Sequence, residues 1–153
     1  MHAVHQENGL VDADGRFRTS LAALGEHGDA DAGSAEMSAQ VAYVKSLEID
    51  ATHIDTHMGA SLLPQFRNAY EALAYTDKVP VLITRSHLLR ENNAEELGRL
   101  ESTGMAVVDD FRITPLYSEM APAEPSAEIY ESIFSGLSPG ITYFSLHPNA
   151  PGD

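Results

Sequence analysis

The sequence predicts an α/β fold in which parallel strands are joined by helices. Three observations point to it. Short apolar segments alternate with segments of helical period from residue 35 onward. One of them, "VPVLIT", is almost continuously apolar, as strands buried on both faces are. Ionisable residues follow each apolar segment at its C-terminal end, where parallel sheets and barrels gather function.

The elements follow in order. Residues 1–34 form a polar loop and turn segment, and residues 35–153 a β/α region. "VDADGRF" carries an Asp-Gly turn signal between short apolar pieces, which predicts a hairpin or tight turn. Asp12, Asp14 and Gly15 resemble the start of a calcium loop, but the remaining ligand positions are missing. "GEHGDADAGS" predicts a loop by composition. Met37, Val41, Val44 and Leu47 then recur at helical spacing, with Ser34 placed to cap. "IDATHIDTH" reads as a strand, and "LLPQFRNAYEALAY" as a helix with Leu63, Phe66, Tyr70 and Leu73 on one face. "VPVLITR" reads as a strand. "NNAEELGRLESTG" has an Asn start and a Gly stop, the punctuation of a helix. "MAVVDDF" reads as a strand, "SAEIYESIFSGL" as a helix, and "GITYFSLHP" as a last strand ended by proline. Strands alternating with helices imply right-handed crossovers and a parallel sheet.

The totals bound the function. At 153 residues, 43% of them hydrophobic, the chain fits one domain with a real core. Twenty-three acidic residues against nine basic ones give a formal charge of −14, which repels phosphate backbones and anionic membranes. Nucleic acid and membrane are therefore not expected partners. The chain has no cysteine, so disulfides and thiolate metal sites are excluded and any metal must be held by His, Asp or Glu. The first fifteen residues have neither a basic start nor an apolar run, so no signal peptide is expected, and the cytoplasm is the expected location.

The strand ends supply the candidate site. The first ends in Asp55 and His57, the second in Arg85, Ser86 and His87, the third in Asp109 and Asp110, and the fourth in His147. A shared edge would bring these distant residues to one pocket. Within "THIDTH", strand alternation puts His53, Asp55 and His57 on one face, with neighbours two apart separated by roughly 6.5–7 Å. His53 and His57 are then too far apart to share one ion, and an Asp beside a His commonly orients its ring. Taken singly, each residue has a plainer reading. A lone His can be a hydrogen-bonded structural residue, Asp109 and Asp110 can open a loop, and Arg85 can simply pair with a carboxylate. His2, His5 and His27 lie in polar segments and are read as exposed.

"THIDTHMG" resembles the T-H-x-D-[ST]-H signature of YdjC-like carbohydrate deacetylases, which include chitooligosaccharide and hopanoid-associated deacetylases. "GLVDADGRF", "VDDFRITPLY" and "GITYFSLHPNAPGD" resemble further segments of that family, so the likeness runs from about residue 9 to the C-terminus. The resemblance implies an irregular TIM-like (β/α) barrel, of which this chain would hold about half as parallel β/α units. It implies metal-dependent removal of acetyl groups from N-acetylated sugars. By resemblance His57 is a metal-binding histidine, His147 a catalytic histidine across the reacting carbonyl, and Asp55 a catalytic residue supporting its neighbour.

Two parts of the family pattern are not found. One is an opening strand ending in adjacent aspartates, and the other is a later G-x-H ligand. Asp109 and Asp110 are adjacent but follow His57, so that role is not carried to them. The expectation is a central fragment, with a divalent ion (Mg or Zn) held weakly for want of N-terminal ligands. Little activity and association through exposed sheet edges go with it. The alternative is a non-catalytic sugar-binding or interaction module on the same fold, although the lack of Trp and 7% aromatic content disfavour a stacking platform. No glycine-rich phosphate loop follows any strand.

Overall fold

The computed structural model describes residues 8–90, 94–104, 107–114 and 126–146. The chain divides into two compact units, Met1–Leu82 and Ile83–Asp153.

In the first unit, the Asp-Gly turn forms as expected. Val11 and Phe17 make an antiparallel bridge. The Asp12 carboxylate accepts the amides of Asp14 (2.9 Å) and Arg16 (3.0 Å), closing the turn. Two helices follow where a loop was expected. Helix α1 (Leu21–His27) is capped by the Ser20 hydroxyl, which accepts from the Ala23 amide. Helix α2 (Ala30–Ser46) is capped by Asp29, whose carboxylate accepts from the Ala32 amide at 2.8 Å. Asp31 in its first turn also complements the helix dipole. The Gly and Asp residues that suggested a loop are thus a linker and a cap, and α2 starts before residue 35.

Helix α3 (Pro64–Asp77) starts with proline at its first turn and ends at Lys78 in a left-handed conformation. Three residues of its expected stripe are buried, with Phe66, Tyr70 and Leu73 at most 5% exposed, whereas Leu63 precedes the helix and is half-buried. Gly33 of α2 is buried against it: a Cβ at Gly33 would lie 2.4 Å from the Phe66 ring. Only a glycine permits that approach of the two helices. Leu10, Val11, Ala74, Val79 and Val81 are also buried.

The two predicted strands of this unit are short. Ile54 pairs with Val81 in a parallel bridge, through Ile54 N–H to Pro80 O and Leu82 N–H to Ile54 O, both 2.8 Å. A 3₁₀ segment, η1 (His57–Leu62), leads from there into α3.

The second unit holds helices α4 (Arg85–Arg90), α5 (Ala94–Ser102) and α6 (Ser126–Ser135), and strands β1 (Asp110–Ile113) and β2 (Thr142–Ser145). Strands β1 and β2 pair in parallel, with Asp110 opposite Thr142 and Ile113 opposite Ser145. Thr84 and Val108 make a further parallel bridge. Helix α4 stands where a strand end was expected, because the Thr84 hydroxyl accepts the His87 amide (3.1 Å) and turns the chain. Tyr130 and Phe134 of α6 meet Phe144 of β2 edge-on, with centroids 6.1 and 5.4 Å away. Ile83, Leu88, Leu97, Leu100 and Val107 are the buried apolar residues among those described in this unit. The α/β class is as predicted, with one two-stranded parallel sheet and isolated parallel bridges among the described residues.

Candidate functional site

The "THIDTH" segment is positioned by its middle residue. Both backbone groups of Ile54 bond to the 80–82 segment. From α3, the Tyr70 hydroxyl reaches Ile54 O (2.9 Å) and Leu82 O (3.2 Å), tying the helix to both extended segments. His53 and Asp55 flank Ile54 and are exposed. Both line a cavity of about 490 Å³ walled by Met37, Val41 and Val44 of α2 and Leu73 of α3. Three residues of the apolar stripe predicted for α2 therefore face this cavity rather than a closed core, while the fourth, Leu47, caps the helix and is exposed. An ion pair between Lys45 and Asp77 lies on the same wall. The Lys45 ammonium, hydrogen-bonded to Asp77, holds that carboxyl below its ordinary range, against the opposing pull of burial.

Strand alternation does not extend to His57. It holds for His53 and Asp55, which share the cavity, but His57 is the first residue of η1 and stands exposed outside the lining. The turn has a local cause. Asp55 accepts the Thr56 amide at 2.6 Å, and the Thr56 hydroxyl accepts the Ser61 amide at 2.8 Å. Met58 (φ 55°) and Gly59 (φ 76°) then adopt left-handed conformations. Gly59 suits that conformation at no cost, whereas Met58 is strained there.

In the second unit, Arg85 and Asp109 are brought together from two of the predicted strand ends. Arg85 Nε donates to Asp109 Oδ1 at 2.8 Å, and its Nη1 donates to Glu101 Oε1 at 2.6 Å. Asp109 Oδ2 accepts the Ile141 amide at 2.8 Å. That backbone bond, and next the Arg85 guanidinium, hold the Asp109 carboxyl below its ordinary range. Arg85 is raised in turn, first by Asp109 and then by Glu101. Asp110 pairs with Arg112 at 2.8 Å. The plainer reading holds for Arg85, which pairs with a carboxylate. Asp109 and Asp110 lead into β1 rather than open a loop, and each takes part in an ion pair.

His147 lies outside the described residues. Among the described residues, no three His, Asp or Glu side chains group closely enough to hold a metal ion. The donors in view therefore do not by themselves fit a resident divalent ion, and His57 offers a single imidazole. Also among the described residues, no helix is long and apolar enough to cross a membrane. Sequence reasoning missed the parts played by Thr56, Tyr70 and Lys45. Only the Thr56 hydroxyl, preceding a glycine-containing turn, carried a local signal.

These features define an α/β protein with a His-x-Asp-x-His segment at the exit of a parallel β pairing. Residues 2–152 match the family model for YdjC-like proteins, and the chain belongs to that family. The kind of function that goes with it is that of a carbohydrate deacetylase-like hydrolase. No curated protein matches the chain.

Proposed function

We propose that the chain acts on N-acetylated sugars as a deacetylase-type hydrolase, with Asp55, His57 and His147 as its working residues. Family membership over nearly the whole chain carries this reading. The exit of the 53–55 segment into the turn that bears His57 supports it locally. We also read the parallel pairings within each unit as parts of an irregular (β/α) barrel.

The chemistry asked of the residues is limited. Water adds to the acetyl carbonyl, the C–N bond breaks, and acetate and a sugar amine leave. An amine anion is too poor a leaving group, so it must be protonated as it departs. His147 suits that task because imidazole changes charge near neutral pH. Asp55 supports its neighbour His57. His57 is the one proposed ligand for a divalent ion (Mg or Zn). Zinc sites commonly take three protein ligands, so weak binding and low activity are expected of this chain.

Two measurements test the proposal. Calorimetry with zinc and magnesium should give weak binding that His57→Ala removes. Acetate release from N-acetylated chito-oligosaccharides should be slow and should vanish in His147→Ala. Tight metal binding that survives His57→Ala would sink the assignment. Oligosaccharide binding without any acetate release would move the chain to a sugar-binding role.

A further inference from the structure

We infer that the cavity between α2 and α3 is the sugar-binding site of this chain, with His53 as a binding residue beside Asp55. The inference rests on the deacetylase reading above for its choice of ligand, an N-acetylated sugar. The cavity itself lies wholly within the first unit.

The space is held open from both ends. Near the start of α2, Gly33 sits against the Phe66 ring of α3. In the last turn of α2, Lys45 pairs with Asp77, the last residue of α3. Between these two points Val41 and Val44 of α2 and Leu73 of α3 line the cavity. Its volume of about 490 Å³ falls within the about 300–1,000 Å³ usual for small-molecule sites. Such sites pair apolar walls with a few fixed polar groups.

The polar groups here are fixed by the backbone. Ile54 bonds to the 80–82 segment through both its N–H and its C=O, and the residues on either side of it, His53 and Asp55, both line the cavity. Thr52 Oγ1 lies 3.0 Å from His53 Nδ1 and orients the ring. His57 stands outside the lining. Charge then selects the ligand. The lining carries Lys45 and Lys78 against Asp50, Asp55 and Asp77, a near balance in a chain with nine basic residues and 23 acidic ones. Lys45 and Asp77 moreover neutralise each other. A near-neutral polar rim over an apolar wall suits a pyranose, which has C–H faces and a hydroxyl edge. A highly charged ligand would meet no matching counter-charge.

The test is an NMR titration of the ¹³C- and ¹⁵N-labelled full chain with an N-acetylated chito-oligosaccharide, without metal. The methyl resonances of Val41, Val44 and Leu73 and the ring resonances of His53 should shift together. Val44→Phe fills part of the cavity and should weaken binding about tenfold or more, with circular dichroism checking its fold. His53→Ala, at an exposed position, removes one hydrogen-bonding group and should weaken binding about three- to tenfold; it decides the matter if Val44→Phe does not fold. Methyl shifts with unchanged affinity in His53→Ala would overturn the role of His53. Shifts at His57 with the cavity methyls unmoved would overturn the cavity site and leave the deacetylase reading standing. So would acetate release that a folded Val44→Phe leaves unchanged. No shift at any of these groups would overturn the site and the sugar reading together.

Discussion

Removing one oxygen atom, in Tyr70→Phe, should loosen the segment that carries Asp55 and His57. Tyr70 is 1% exposed, and its hydroxyl lies 2.9 Å from Ile54 O and 3.2 Å from Leu82 O. Phenylalanine keeps the ring, so no sizeable cavity is made. Ile54 O retains the Leu82 amide at 2.8 Å. The loss is one net hydrogen bond, about 0.5–1.5 kcal/mol, plus part of the cost of leaving a buried carbonyl short of a partner. About 1–2 kcal/mol in all is expected. Leu73→Ala, at a site 5% exposed on the same helix, sets the scale for a true cavity at about 2–5 kcal/mol. Urea unfolding followed by circular dichroism measures both. Hydrogen exchange of the Ile54 amide, which donates to Pro80 O, reports the local effect. A stability change under about 0.3 kcal/mol with Ile54 protection intact would refute the tie between α3 and the two extended segments.

Further outcomes follow from other contacts. Glu71 and Arg67 form a buried i,i+4 pair at 2.6 Å, with side chains 7% and 9% exposed. Glu71→Ala should cost about 3–5 kcal/mol by taking the carboxylate away from a buried guanidinium, while replacing both by Met and Leu should recover most of it in the same unfolding assay. Gly33→Ala drives a methyl group into the Phe66 ring and should cost about 1–3 kcal/mol through overpacking, read as a drop in urea midpoint. Asp77 and Asp109 both have carboxyls held below their ordinary value of 3.8. Such groups stabilise the fold above that value, and the contribution is lost as pH falls through the lowered folded values. An acid titration followed by circular dichroism should therefore show destabilisation below about pH 4, diminished for the first unit in Lys45→Met.

The β/α class was legible because period counts for more than context in strongly patterned segments. Phe66, Tyr70 and Leu73 are buried as their spacing predicts, while Leu63, the fourth residue of that stripe, precedes the helix and is half-buried. The "VDADGRF" turn forms for the reason its Asp and Gly suggest. The composition-based loop at residues 25–34 did not hold, since one glycine links two helices there and one aspartate caps the second. Capping and looping draw on the same residue types, so composition alone could not separate them.

Sequence by itself determined the class, the family motif and which residue types stand at the strand ends. Those depend on local periodicity and on residue identity, which are both written along the chain. Only the tertiary structure decided that His57 leaves the face shared by His53 and Asp55, and that Arg85 and Asp109 spend their charges on each other. It also set the Asp109 carboxylate where a Cβ at Gly140 would lie 2.5 Å from its Oδ2. Each of these turns on a pairing between residues far apart in sequence or on a backbone angle, and neither quantity has a period to read.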